Sequence, residues 1–346
     1  PLTAEQVASP SLPSQRPHGQ LNVASGLLKS PVIMQWNATI ERMLGGGQSL
    51  SLAYIGTRGR DLLRTEVDAD FTSNYSLLRV LTNGAKSDYH GFQASYRRPV
   101  GSRLTTQLSY TWAHSVDTAS QDHAATLPGF TTVRGYEDGD SDFDVRHILS
   151  FVGTYQLPSP REGGLRAAFK DWSAEWMISA RSALPLDVVT MTAEGSDTDD
   201  TVAEGSPGLF ALVRANYMGL PVWISDPTAP GGKRLNPEAF AVPDGYRQGT
   251  LGRNVIRGFG MWQADLSLSR RVALTESANL FVQAQAFNLL NTTNFTNPFV
   301  LQGANLASPN FGYSSGTLSS GADGGASSVF RQGGPRTLQL GLRIEF

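Results

Sequence analysis

The sequence predicts an all-β fold: an antiparallel transmembrane β-barrel, of which about nine C-terminal strands are present. Three observations predict it. The first is the end of the chain, where Leu338, Leu340, Leu342, Ile344 and Phe346 alternate with Thr337, Gln339, Gly341, Arg343 and Glu345. Successive side chains of a strand point to opposite faces, so one face is apolar and the other polar up to a terminal aromatic. A strand with lipid on one side and a wet lumen on the other needs that pattern. The second observation is that the spacers between such segments alternate between short and long. The third is that aromatic residues gather near both ends of the segments.

Taken in chain order, residues 1–32 read as a Ser/Pro/Gln-rich loop remnant, and residues 33–346 as the C-terminal part of the barrel. The first segment, about Ile33–Met43, ends at Gly45-Gly46-Gly47, a tight turn. The second is about Gln48–Thr57. After a long spacer the third, about Asp88–Pro99, turns through Gly101-Ser102 into the fourth, about Arg103–Ser115, where Leu104, Thr106, Leu108, Tyr110 and Trp112 share a face. A long polar spacer leads to the fifth, about Val145–Leu157, and a middling one to the sixth, about Trp172–Ser182. The longest spacer precedes the seventh (Met261–Val272), which a short turn joins to the eighth (Ala278–Leu290). The terminal strand is the ninth.

With Phe346 at the periplasmic side, every short turn falls on that side and every long loop outside, as in bacterial outer-membrane barrels. The same threading puts Trp36, Tyr54, Trp112 and Trp262 near the outer ends, and Tyr96, Tyr155, Trp172 and Phe346 near the inner ends. Amphipathic rings favour the two membrane interfaces, so two girdles are expected. Leu104, Leu108, Trp112, Trp176, Leu266, Leu268, Leu340 and Leu342 should face lipid. Glu175, Arg181, Asp265, Gln283, Gln285, Arg343 and Glu345 should face the lumen. A soluble β-sandwich would also alternate, but its strands commonly run ~5–6 residues, about half the length seen here.

Composition agrees. The chain has 346 residues, 40% hydrophobic, with net charge −2, which gives nucleic acid no basic surface to bind. Its charged fraction of 17% is below the ~25% usual for soluble domains. Without cysteine there is no disulfide framework, thiolate metal site or thiol nucleophile. No apolar run reaches the ~18 residues of a membrane helix, a test that barrel strands never meet. The chain opens at Pro1 with neither Met nor signal peptide and reads as a fragment.

Few residues suggest chemistry. Asp138, Asp140, Asp142 and Asp144 follow Glu137 at every second position and could wrap a calcium ion, although the spacing is not that of an EF-hand. A role in packing the loop competes with it. Asp197, Asp199 and Asp200 read as a solvated acidic loop. The five histidines show no paired metal spacing. Asp142, Asp144, His147 and Ser150 lie close in sequence, which is not triad geometry. No catalytic residue and no cofactor is expected.

Several strings carry a resemblance: Gln35-Trp36-Asn37, Tyr54-Ile55-Gly56-Thr57-Arg58-Gly59, Tyr110-Thr111-Trp112-Ala113-His114-Ser115, Ser141-Asp142-Phe143-Asp144-Val145-Arg146-His147 and Gly252-Arg253-Asn254. Ala286-Phe287-Asn288-Leu289-Leu290-Asn291, Asn294-Phe295 and Pro335-Arg336 complete the set. In this order they resemble the C-terminal barrel of TonB-dependent outer-membrane receptors, in particular the Oar-like group with a carboxypeptidase-regulatory-like domain. The resemblance implies a barrel of about 22 strands in the outer membrane of a Gram-negative bacterium. It implies energised uptake of a scarce or bulky ligand, with the TonB system acting through an N-terminal region and plug that are not in this sequence. The expected partners are outer-membrane lipid, the transported ligand and the barrel-assembly machinery, for which Leu338, Leu340, Leu342, Ile344 and Phe346 resemble the recognition signal. The competing function is a structural or adhesive outer-membrane barrel that binds partners through its long loops.

Overall fold

The computed structural model describes residues 18–68, 75–120, 130–132, 138–159, 170–193, 210–244, 249–275, 277–299, 302–318 and 333–346. Nine strands form one antiparallel sheet in chain order: β1 (Val32–Gly45), β2 (Gln48–Asp68), β3 (Tyr75–Val100), β4 (Leu104–Asp117), β5 (His147–Gln156), β6 (Trp172–Arg181), β7 (Met261–Ala273), β8 (Asn279–Phe287) and β9 (Thr337–Glu345). Each pairs with its neighbour along the chain, so the sheet is a meander with β1 and β9 at its two edges. Among the described residues it does not close on itself.

Register aligns the apolar faces. Ala38 stands opposite Tyr54, Tyr54 opposite Phe92, and Phe92 opposite Trp112. Further along, Ile178 faces Ala264, Leu268 faces Ala284, and Ala284 faces Leu340. A one-residue slip in any pair would turn that strand's apolar row inward, so the pattern itself fixes the pairing. Gly46 and Gly47, with φ of 57° and 76°, make the β1–β2 turn. Two successive positive φ values match the primed turn that follows strand twist, and glycine adopts them without strain. This turn, Gly101 and the 274–278 connection lie at one end of the sheet, and the long connections at the other.

Burial is inverted relative to a soluble sheet. In β7, Trp262 is 43% exposed while neighbouring Gln263 is 4% exposed, and Leu268 is exposed between buried Ser267 and Ser269. Among the described residues no second sheet covers the apolar face, which a sandwich would require. Leu108, Trp112, Leu268, Leu340 and Leu342 are exposed on that face, whereas Leu104, Trp176 and Leu266 are half-buried. Trp176 is sheltered because its ring lies across Gly153, where an added Cβ would come within 2.1 Å of it. Trp36 uses Gly56 in the same way, at 2.2 Å. In each case the ring covers the glycine opposite it in register.

The structure differs from the sequence reading in three stretches. The 58–87 spacer is not a loop throughout, because β2 continues to Asp68 and β3 starts at Tyr75, pairing from Leu62↔Ala85 to Asp68↔Leu78. Register shifts between Gly59 and Arg64, with Asp61 at a φ of 51°, break the two-residue period there, so alternation gives no signal. Within residues 1–32, His18–Ala24 forms a strand parallel to Tyr75–Leu81. The 184–260 spacer is folded. Short ladders pair Val189–Ala193 with Phe210–Arg214, Asn216–Tyr217 with Phe240–Ala241, and Trp223–Ser225 with Lys233–Leu235. They enclose Leu186, Val188, Ala215, Leu235, Ala239 and Phe240, a conventional apolar core. The described residues contain no α-helix, only 3-10 turns at Pro230–Gly232 and Pro237–Ala239.

Candidate functional site at the outer mouth

Two sequence strings meet where the sheet joins this folded loop. Ser141–Arg146 leads into β5, and the two residues before it pair with the top of β4, Val116↔Asp140 and Asp117↔Gly139. Gly252-Arg253-Asn254 comes from the far end of the loop. Asp144, 2% exposed, accepts from the Ser115 backbone N–H at 2.7 Å, from Arg146 Nε at 2.6 Å and from Arg257 Nη2 at 2.6 Å. Asp140 is bound by His114 Nε2 at 2.8 Å, by Arg146 Nη2 at 2.9 Å and by Arg257. Arg253 donates to the Asp117 carboxylate at 2.7 Å and to Ser120 Oγ at 2.7 Å, and reaches Asp142 at 3.2 Å. Asn254, held at a φ of 58°, donates through Nδ2 to Asp142 and to the Asp140 carbonyl, both at 2.7 Å.

These contacts form a latch between wall and loop. Burial works to raise the Asp140 carboxyl, but the hydrogen bonds from His114 and Arg146 and the charges of Arg146 and Arg257 hold it below the ordinary carboxylate range. Burial likewise works to lower Arg253, and Asp117 and Asp142 outweigh it. The calcium candidates do not converge on one point. Asp138 pairs with exposed Lys86 at 3.0 Å, Asp142 faces Arg253 and Asn254, and Asp140 and Asp144 share Arg146 and Arg257. His114, Asp140 and Asp144 do bring ligand atoms together. Two guanidinium groups already occupy those oxygens, and a cation would have to displace them. Glu137, Asp197, Asp199 and Asp200 lie outside the described residues.

Beside the latch is a cavity of about 680 Å³. Arg181 at the outer end of β6, Asp187, Asn254 and Phe259 form one side, and Phe295 and Phe299 the other. Asp187 accepts from the Asn254 backbone N–H at 2.6 Å. Burial pushes its carboxyl above the ordinary value, against that bond and the charges of Arg214 and Arg253. Asn297 ties the two sides together, donating to the Leu184 and Pro185 carbonyls at 3.2 and 3.0 Å and accepting from the Phe259 N–H at 3.1 Å. The cavity can therefore hold an apolar or aromatic group against three phenyl rings while a carboxylate and a guanidinium orient its polar end.

The other expected residues fall as follows. Glu175, Arg181, Asp265, Gln283, Gln285, Arg343 and Glu345 share the polar face; Asp265 accepts from Gln263 Nε2 and the Asn288 N–H, both at 2.7 Å, and Gln283 donates to Ser267 at 3.1 Å. Arg343 and Arg271 both pair with Glu345. Trp36, Trp112 and Trp262 stand on the apolar face toward the long-loop end; Tyr54 shares that face but lies nearer the short-turn end of its strand, because β2 runs on to Asp68, and Tyr96, Tyr155 and Trp172 stand toward the short-turn end. Leu338, Leu340, Leu342, Ile344 and Phe346 are exposed along the β9 edge. His147 bonds Tyr110 on the apolar face, opposite in direction to Ser150, so no triad assembles. Phe259, Asn297 and Arg257 carried no signal in the sequence, because their partners are distant along the chain and lie in loops without period; Phe295 stood in a resemblance string, but with no role attached.

Residues 1–339 match the family described as outer membrane beta barrel domain, and the chain belongs to that family. It is thus an outer-membrane protein of a bacterium, and its family is one of barrels rather than of enzymes. No curated protein matches it. Among solved structures it is similar to the outer membrane transporter YddB from Escherichia coli, at 11% identity and TM-score 0.49, over 92% of this chain and 33% of that one. It is similar to the ferripyoverdine receptor of Pseudomonas aeruginosa, at 13% identity and TM-score 0.43, over 92% and 28%. It is also similar to the FrpB iron transporter from Neisseria meningitidis, at 10% identity and TM-score 0.42, over 94% and 33%. The chain spans about a third of the length of these structures.

Proposed function

We propose that this chain is the C-terminal wall and outer-loop portion of a TonB-dependent receptor that takes up a scarce or bulky ligand with energy relayed from the inner membrane. The observation that carries the reading is the cavity at the outer mouth, lined by Phe259, Phe295, Phe299, Asp187 and Arg181 and held in place by the arginine latch. A pore for small solutes needs no such pocket. A receptor for a dilute ligand does, because capture must precede passage. The barrel-assembly signal at Leu338–Phe346, the girdles and the lumenal set belong to the same reading.

The experiment compares cells with and without the full-length gene for accumulation of labelled metal chelates and oligosaccharides. Accumulation that needs the gene and stops when the proton gradient is collapsed supports the receptor. Phe295→Ala should then cut accumulation at unchanged surface level. The core enclosed by the 184–260 loop favours a second reading, a barrel whose outer loops hold a partner or surface. Binding to cells without accumulation would select it.

A further inference from the structure

On the apolar face, one arrangement occurs twice. The Tyr54 hydroxyl lies 2.7 Å from His90 Nδ1, with ring centroids 6.2 Å apart and planes at 21°. The Tyr110 hydroxyl lies 2.7 Å from His147 Nδ1, with centroids 6.1 Å apart and planes at 21°. Each pair spans two adjacent strands, β2–β3 and β4–β5, and both histidines are exposed. Trp36 meets His90 edge-on at 6.3 Å, and Trp112 stands opposite His147 in register. One register step outward, Arg58 and Arg60 both pair with the single carboxylate of Asp88, at 2.9 Å each.

The height of this cluster is fixed by its strands. His90 lies about ten residues from the inner end of β3 at Val100. At ~3.3 Å per residue and a ~45° tilt that is roughly 23 Å, close to the ~25 Å apolar band of an outer-membrane barrel. The cluster therefore sits where acyl chains give way to headgroups. When the tyrosine hydroxyl donates to Nδ1, the neutral imidazole carries its proton on Nε2, a donor free to point outward. Two such donors and two guanidinium groups sharing one carboxylate make a surface of donors with surplus positive charge. An acceptor-only anion complements it.

We propose that this strip of the lipid-facing wall, His90 and His147 with Arg58 and Arg60, binds the phosphate headgroup of an acidic lipid of the outer leaflet. The tyrosines are positioning residues that select the imidazole tautomer and hold ring direction. Trp36 and Trp112 stand in the same register rows as His90 and His147 and flank the headgroup. His114, opposite His90 in register, is engaged by Asp140 and takes no part. The inference is separate from ligand uptake and rests only on outer-membrane placement.

The test purifies the full-length protein from outer membranes in mild detergent and measures, by native mass spectrometry, its retention of bisphosphorylated lipid A against the same lipid with its phosphates removed. Wild-type protein should retain the phosphorylated form at least about tenfold better, the effect of losing one or two charge-assisted bonds. His90→Phe with His147→Phe keeps the aromatic belt and should lose most of that preference, as should Arg58→Gln with Arg60→Gln. Tyr54→Phe with Tyr110→Phe should lose part of it. Heat-modifiable gel mobility reports whether each variant is folded. Equal retention of the two lipids by wild type overturns the proposal without any variant. So does undiminished preference in the folded variant that combines the His90, His147, Arg58 and Arg60 substitutions, or full displacement of the lipid by millimolar inorganic phosphate.

Discussion

Leu268 and Leu235 are the same residue in one chain, yet one is 36% exposed on a sheet face and the other is fully enclosed. In the wall, the apolar residues of β7 and β9 look outward and serines and glutamines occupy the opposite face. In the 184–260 loop, Val188, Val213, Ala215, Leu235 and Ala239 have no exposed surface. The hydrophobic effect acts in both places, but the apolar phase is lipid for the wall and the protein's own interior for the loop. The arginine latch marks the boundary, because there charged groups can neither enter lipid nor be left unpaired.

The largest effect should come from cutting that boundary. Arg257→Ala leaves Asp144 with Arg146 and the Ser115 N–H as its remaining partners. Breaking a buried pair costs about 3–5 kcal/mol, and these surviving partners place the expected loss near the lower end. Amide exchange should speed up in the 184–260 loop, while β7–β9 keep their protection and the barrel its heat-modifiable mobility. Loss of protection in both regions together would mean that wall and loop are one cooperative unit.

Within the wall, Leu266→Arg should cost roughly 2–4 kcal/mol of folding free energy in a bilayer if the site lies near the midplane. Ser267→Arg, on the lumenal face, should cost much less. Refolding titrations into lipid vesicles compare the two. Equal costs would mean that the faces differ less than the register implies.

How much of this was legible follows from what each part uses as solvent. All nine wall strands are visible in the sequence because lipid and lumen impose a two-residue period on every one of them, and turns such as Gly46-Gly47 punctuate it. The upper halves of β2 and β3 carry the Gly59–Arg64 irregularity, so the period disappears. The loop core is built from pairs such as Leu186 with Ile256, far apart in sequence and in strands of two residues, too short to show alternation. The latch was half visible. Asp140, Asp142 and Asp144 stood out as an acidic run, but the cations that explain them, Arg253 and Arg257, lie more than a hundred residues on.

At the β9 edge, Phe346 is 96% exposed and ends the apolar row of Leu338, Leu340, Leu342 and Ile344. The proposed assembly signal rests on this edge, whose open backbone groups could take an added strand. Deleting Phe346 from the full-length protein should lower the amount inserted, at unchanged synthesis, with quantitative blotting of outer-membrane fractions as the readout. Normal levels would leave Phe346 only an interfacial anchor.

The smallest expected effect separates two carboxylates of the same junction. Asp140 is held below its ordinary value, so its contribution to the latch is present above the unfolded carboxylate pKa of about 3.9 and is lost as pH falls through the lower folded value. Asp187 is shifted the other way by burial. Its contribution is fully present below the unfolded value and is lost as pH rises through the raised folded one, so burying an ionisable group here works against the folded loop above the unfolded value. Asp187→Asn removes the ionisable group while its Oδ1 can still accept from the Asn254 N–H. The variant's loop should therefore exchange more slowly than wild type at pH 7, and the gap should close as pH is lowered toward the unfolded carboxylate range. Asp140→Asn should do the opposite, weakening the loop at pH 7 and converging with wild type only in stronger acid. If Asp187→Asn instead weakens the loop at pH 7, the Asp187 charge is compensated by Arg214 and Arg253, and the carboxylate belongs with the latch rather than with the cavity.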